Sequence, residues 1–195
     1  MKLLLTAGLA LAGASGWFSN ALTAREAKTE QFKVDPVHST VIYRIKHLNV
    51  SYVYGRINDI RGTFSFGDTA EANALNIEVR PESLDSHDEK RDNHLKGPDF
   101  FNVKQFPLIT FKSKTVTRKD DHWYDVIGDL SFHGVTRRVT VRLNRVGSGK
   151  DPWGGYRTGF EVVFDIKRSD FGMKYLAGAL GEDVRIIVAV EGIRQ

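Results

Sequence analysis

Residues 160–166 read Phe-Glu-Val-Val-Phe-Asp-Ile. Phe160, Val162, Phe164 and Ile166 fall on one side of an extended chain, and Glu161 and Asp165 fall on the other. Alternation of period two marks a half-buried strand. The full charges on the polar side decide what kind of sheet this is. A charge facing lipid at mid-membrane costs ~2–4 kcal/mol, so the charged face meets water and the apolar face looks inward.

The same pattern extends in both directions. Toward the C-terminus, Val184, Ile186, Val188 and Val190 alternate with Arg185 and Glu191. Toward the N-terminus, Val139, Val141 and Leu143 oppose Arg138, Thr140 and Arg142, and Tyr124, Val126, Leu130 and Phe132 share a face away from Asp125 and Asp129. Ile109 and Phe111, then Leu75, Ile77 and Val79, then Ile60, Phe64 and Phe66, and finally Val41, Tyr43, Ile45 and His47 complete the series. This makes eight strands, with Gln31 to Asp35 a candidate ninth. Turn signals separate them at Gly67-Asp68, Lys119 to Asp121, His133-Gly134 and the stretch Gly147 to Gly155.

Two stretches break the rhythm. Asp88 to Leu95 reads as a two-turn helix that starts at Asp88 or Ser86, with Gly97 just past its end and Pro98 to stop it. Arg168 to Glu182 is glycine-rich and carries Phe171, Met173, Tyr175 and Leu176, so it packs over something apolar as a lid or a loop. The expectation is an all-β chain, an eight-stranded antiparallel barrel with one short helix, closed so that no edge strand is left. A barrel of this size is either filled by its own side chains or holds one small ligand. The pattern alone leaves both open.

Lys2 is followed by an uncharged run from Leu3 to Ala24, apolar from Leu3 to Ala14, which reads as a secretory signal peptide spanning 1–21 and cleaved after Ala21. Glycine, serine and asparagine dilute the run below the ~20 apolar residues of a membrane span. The domain is then 22–195. With no cysteine in the chain, neither a disulfide nor a cysteine-linked lipid anchor can form, and a disulfide-free exported chain points to a bacterial periplasm. The 28 basic and 24 acidic residues are scattered and accompany no recognition motif, which argues against nucleic acid as a partner. No stable membrane insertion is expected, and a homodimer is left open.

The search for chemistry yields little. His87 and His94 lie seven residues apart, about two helical turns or ~10 Å of rise, too far to share a metal ion. There is no Gly-x-Ser-x-Gly elbow, and Gly147-Ser148-Gly149 runs into Pro152 where a dinucleotide fingerprint needs glycine. No catalytic, metal or cofactor residues are assigned. A carboxylate pair acting as an enzyme site stays open as an alternative.

Several segments together carry a resemblance. Arg44-Ile45-Lys46-His47-Leu48, Gly62-Thr63-Phe64-Ser65-Phe66, Arg91-Asp92-Asn93-His94-Leu95-Lys96, Pro107-Leu108-Ile109-Thr110-Phe111, Gly128 to Thr136, Asp151-Pro152-Trp153-Gly154-Gly155 and Ser169-Asp170-Phe171 occur in order along the chain. The sequence resembles the YceI-like family of bacterial periplasmic polyisoprenoid-binding proteins. The resemblance implies a lipocalin-like barrel that encloses a long isoprenoid, such as a quinone or a polyprenyl phosphate, and does no chemistry on it. On that reading Tyr43, Ile45, Phe64, Phe111, Leu130, Phe160, Val162, Phe164 and Val188 line the tail. Arg91 and His94 hydrogen-bond the head group, and Tyr54 or Trp153 stacks on a ring. The competing roles are an enzyme acting on an apolar substrate with His94, Arg91 or Asp92 as acid, base or charge stabiliser, a plugged barrel with a structural or stress function, and Arg91 and Asp92 as salt bridges that only pin the helix across the barrel end.

Overall fold

Strand pairing in the computed structural model, which describes residues 29–195, closes on itself. The strands are β1 (Thr29–Val34), β2 (Thr40–His47), β3 (Ser51–Gly67), β4 (Ala74–Asp85), β5 (Ile109–Arg118), β6 (Trp123–Phe132), β7 (Val135–Lys150), β8 (Tyr156–Lys167) and β9 (Leu180–Arg194). Helix α1 (Glu89–Lys96) lies between β4 and β5. The expected signal segment falls outside the described residues.

From β3 to β9 each strand pairs antiparallel with the next, and β1 and β2 together close the ring between β3 and β9. β2 covers Ser51 to Ile57 of β3, and β1 covers Thr63 to Gly67. The candidate ninth strand is therefore half of a stave, and the nine strands form an eight-stave barrel. The break between the halves is the corner at Asp35 to Ser39, where Ser39 Oγ donates to the Asp35 carbonyl at 2.7 Å.

Local chemistry sets the turns. His133 and Gly134 both have positive φ, at 51° and 75°, as a tight two-residue hairpin requires. The stretch Gly147 to Gly155, read as one loop, is shorter than expected: β7 continues to Lys150 and only Asp151 to Gly155 turns. Asp151 Oδ1 caps that turn, accepting from Trp153 N at 3.0 Å and Gly155 N at 2.7 Å. Asp88 caps α1, its carboxylate accepting from Arg91 N at 2.7 Å, and Gly97 ends it.

The outer wall is charged and cross-linked. Arg138 Nη2 meets Asp129 at 2.9 Å between paired positions of β6 and β7, and Arg185 grips Asp165 with two bonds of 3.0 Å between β8 and β9. Among the described residues no helix is long and apolar enough to cross a membrane.

Candidate functional site

The interior has two halves. At the end where β7 turns into β8, aromatic rings fill the bore. Phe32 stacks on Phe64 with centroids 5.2 Å apart, Phe64 meets Phe160 edge-on at 5.1 Å, and Phe66 lies 5.0 Å from Tyr124. The Arg145 guanidinium covers the Phe66 ring at 5.1 Å. Phe32, Phe64, Tyr124 and Leu143 are all but inaccessible. This end is a plug.

The other half is hollow. A cavity of about 440 Å³ opens beneath α1, within the range of small-molecule sites. Its walls come from nearly every stave: Tyr43 and Ile45 from β2, Ile77 from β4, Phe111 from β5, Leu130 from β6. Val162 and Phe164 of β8 and Val188 of β9 complete them, and Phe160 at the edge of the plug forms the floor. The question of a filled or an empty barrel thus has a divided answer, because the plug and the cavity share one bore.

The cover is built from two segments. α1 contributes Arg91, His94 and Leu95 to the lining, and the segment after β8 contributes Arg168, Met173 and Leu176. His94, Phe100 and Tyr175 pack edge to edge with centroids 5.1–5.4 Å apart, joining the two segments over the opening. The irregular stretch from Arg168 is therefore part of the cover.

The polar groups at the opening are held in place. Arg91 donates from Nε to Ser86 Oγ at 2.7 Å and from Nη2 to the Ser86 carbonyl. The Asp92 carboxylate accepts from Ser86 N at 2.9 Å and from Ser86 Oγ. Arg91 and Asp92 do pin the helix, but through buried Ser86 and not through the salt bridges expected of them. His94 Nε2 donates to Asp99 Oδ2 at 2.9 Å. Arg168, only 4% exposed, donates to three backbone carbonyls: Gly181 at 3.1 Å, Met173 at 3.2 Å and Tyr175 at 2.6 Å.

Tyr43 differs from these groups. Its hydroxyl is buried and has no hydrogen-bond partner. The ring lies flat over Gly55, where a Cβ would come within 2.2 Å of the hydroxyl oxygen, so only glycine fits beneath it. Burial, with the nearby Asp92 charge adding to it, pushes the phenol up to about 12. The group is a neutral O–H donor facing an apolar space.

Of the residues read from sequence as ligand contacts, Tyr43, Ile45, Phe111, Leu130, Phe160, Val162, Phe164, Val188, Arg91 and His94 line the cavity. Phe64 lies in the plug, below the floor. Tyr54 points outward, 54% exposed, because Val53 and Ile57 take the inward positions of that stretch of β3. Trp153 is 81% exposed in the β7–β8 turn, at the end of the barrel opposite α1. The sequence places Met173 in a stretch that packs over something apolar but assigns neither it nor Arg168 nor Phe100 to the ligand, since an irregular loop has no periodicity to show which side chains turn inward.

A second polar cluster sits on the outer wall. Arg157 Nη1 lies 2.6 Å from both Asp35 Oδ2 and Glu191 Oε1, and its Nε lies 2.9 Å from Asp151 Oδ2. His38 Nδ1 adds a contact of 2.9 Å to Asp35. Ligand atoms of Asp35, His38 and Glu191 lie within 4.8 Å of one another, close enough to hold an ion. Arg157 already supplies the positive charge between the two carboxylates. The cluster clamps the β1–β2 corner to β8 and β9.

A closed antiparallel barrel with an apolar cavity under a cover that includes one helix is an architecture with room for a small apolar molecule. The chain belongs to the YceI-like domain family, whose model matches residues 32–192. A UPF0312 protein of Pseudomonas aeruginosa is 39% identical over 180 residues, which is 91% of this chain and 94% of that protein. BcnA of Burkholderia cenocepacia has the same fold, with a TM-score of 0.72 and 24% identity over 81% of this chain and 98% of its own. A polyisoprenoid binding domain from Saccharophagus degradans has it too, with a TM-score of 0.66 and 13% identity over 84% and 98%.

Proposed function

We propose that this protein is exported to the periplasm, where it holds an isoprenoid lipid by its tail and does no chemistry on it. The observation that carries the reading is the apolar cavity, open toward α1 and floored by Phe160. Its likeness in fold to a domain described as polyisoprenoid binding supports the choice of ligand. The commitments of Arg91, His94 and Arg168 to Ser86, Asp99 and backbone carbonyls support a non-catalytic role, since each of the three is held by a structural partner.

Volume sets the scale of what can be held. At about 30 Å³ for each water-sized group, the open-ended cavity of about 440 Å³ takes at least ~15 chain carbons. Burying them at ~0.8 kcal/mol each yields ~12 kcal/mol gross, from which ordering and association costs are subtracted. The test is to purify the exported protein from a Gram-negative host, extract it with organic solvent and analyse the extract by mass spectrometry. A prenyl lipid near one per chain is expected. Repeatedly empty extracts, or a bound lipid without an isoprenoid chain, overturn the reading.

A further inference from the structure

Six non-glycine residues among those described have positive φ. Four of them, Asn49, His87, Asn102 and His133, are of types that tolerate the left-handed region. The other two are leucines, Leu48 at 49° and Leu176 at 51°. A bulky aliphatic residue there holds backbone strain that asparagine or glycine relieves. Leu48 and Asn49 form the two-residue turn between β2 and β3, closed by Val50 N donating to the His47 carbonyl at 2.9 Å. Such a turn favours Asn-Gly. Burial does not offset the strain, since Leu48 is 56% exposed and Leu176 47%.

The two strained leucines sit close together. Leu48 N donates to the Ala179 carbonyl at 2.7 Å, which ties the β2–β3 turn to the segment that follows Leu176. Val50, 85% exposed, with Tyr52 and Tyr175, extends them into an apolar rim. The rim borders the cavity mouth, since Leu176 is also part of the lining and Tyr175 packs on His94 of α1. Single exposed apolar side chains are ordinary on a protein surface. A cluster around one opening, part of it held against backbone preference, marks a contact site. The charge carried by the rim has one sign: residues 40–57 contain Arg44, Lys46 and Arg56, and residues 171–181 contain Lys174, with no acid in either segment. Lys46 and Lys174 are exposed. The acids flanking the second segment are Asp170, Glu182 and Asp183, of which Glu182 is engaged by Ser169. Apolar loop tips, tyrosines and exposed lysines together match the headgroup layer of an anionic bilayer. We propose that this rim docks on an anionic lipid surface and turns the cavity mouth toward it. The contact is peripheral, with the apolar tips in the headgroup layer and the lysines facing the lipid charge. It does not depend on what the bore holds.

The experiment mixes the purified, exported chain with vesicles of phosphatidylcholine alone or of phosphatidylcholine with phosphatidylglycerol, and reads binding by flotation. The chain is expected to float with the mixed vesicles, and less so as salt is raised. Lys46→Gln and Lys174→Gln are each expected to lower the partition coefficient about fivefold. Leu48→Asn removes an apolar contact and relieves the turn, so it is expected to lower partitioning about tenfold while the melting temperature stays level or rises. Because the chain has no cysteine, Val50→Cys and Trp153→Cys each accept a single environment-sensitive dye. The dye on Val50→Cys is expected to shift to the blue on mixed vesicles, and the dye on Trp153→Cys, at the opposite end of the barrel, to stay unchanged. A folded chain that never floats overturns the proposal, as do equal dye shifts at the two ends. A Leu48→Asn variant that floats as well as the wild type, or melts clearly below it, shows that the leucine serves the fold and not a bilayer. A dimer of the protein alone that Val50→Asp breaks, with flotation intact, assigns the rim to a second copy instead. The vesicles contain no isoprenoid, so failure here leaves the reading of the cavity standing, and empty solvent extracts leave this one standing.

Discussion

Phe64 and Phe164 belong to the same inward-facing pattern and have opposite surroundings. Phe64 is sealed between Phe32, Phe66 and Phe160, whereas Phe164 is part-buried beside the cavity. Removing a sealed ring leaves a new void, so Phe64→Ala is expected to lower stability by ~3–5 kcal/mol in chemical denaturation. Phe164→Ala enlarges space that already exists, and its cost to the empty protein is expected to be clearly smaller, with the loss showing in ligand affinity. Equal costs would falsify the division into plug and cavity. On the outer wall, Asp35 is a single residue with a pH-dependent effect. The hydrogen bond with His38 and the contact with Arg157, working against partial burial, bring its carboxyl from an ordinary 3.8 to about 2. A folded value below the unfolded one stabilises the protein above the unfolded value, and that stabilisation is lost as pH falls through the folded one. Asp35→Asn is therefore expected to melt below the wild type at about pH 6, with the gap closing between about pH 4 and pH 2. A gap that stays constant over that window would show that the ion pairs with Arg157 and His38 contribute nothing.

The elements meet expectation unevenly, and the reasons are local. Helix α1 was legible to within a residue or so, because Asp88 and Gly97 are boundary signals within the sequence itself. The first half of β3 was not, because its inward positions include Gly55, which contributes no side chain to the alternation and serves instead as the floor under the Tyr43 ring. No sequence rule pairs Ser86 with the helix, yet it is Ser86 that anchors it. Asp92→Ala leaves the buried Ser86 N–H without an acceptor and is expected to cost ~1–3 kcal/mol. Amide hydrogen exchange across 89–96 is expected to rise more than exchange in β8 and β9. Uniform acceleration across the whole barrel would mean that the helix opens only with global unfolding.

At the scale of the whole molecule, the cavity links ligand to stability. A ligand that binds only the closed barrel at about one hundred times its Kd adds ~2.7 kcal/mol. For a chain of this size each kcal/mol raises the midpoint by ~2–4 °C. A farnesyl-length ligand is thus expected to raise the melting temperature by ~5–10 °C, read by scanning calorimetry, and Leu130→Trp, which fills the cavity from its wall, is expected to abolish the rise. A rise that survives this substitution places the ligand elsewhere. A strand-built barrel with a charged exterior was legible before any folding, because successive side chains on an extended backbone alternate faces and each strand records its own two environments. The sequence also carried the family through a series of short motifs in order. It took the closed fold to plug one half of the bore and leave the other hollow, to set Tyr54 and Trp153 outside it, and to bring Arg168 into the cavity lining. Those outcomes depend on which rings from distant strands reach the same level of the barrel, and on how loops with no periodicity fold over its end; Asp35, Arg157 and Glu191 meet only when the staves close.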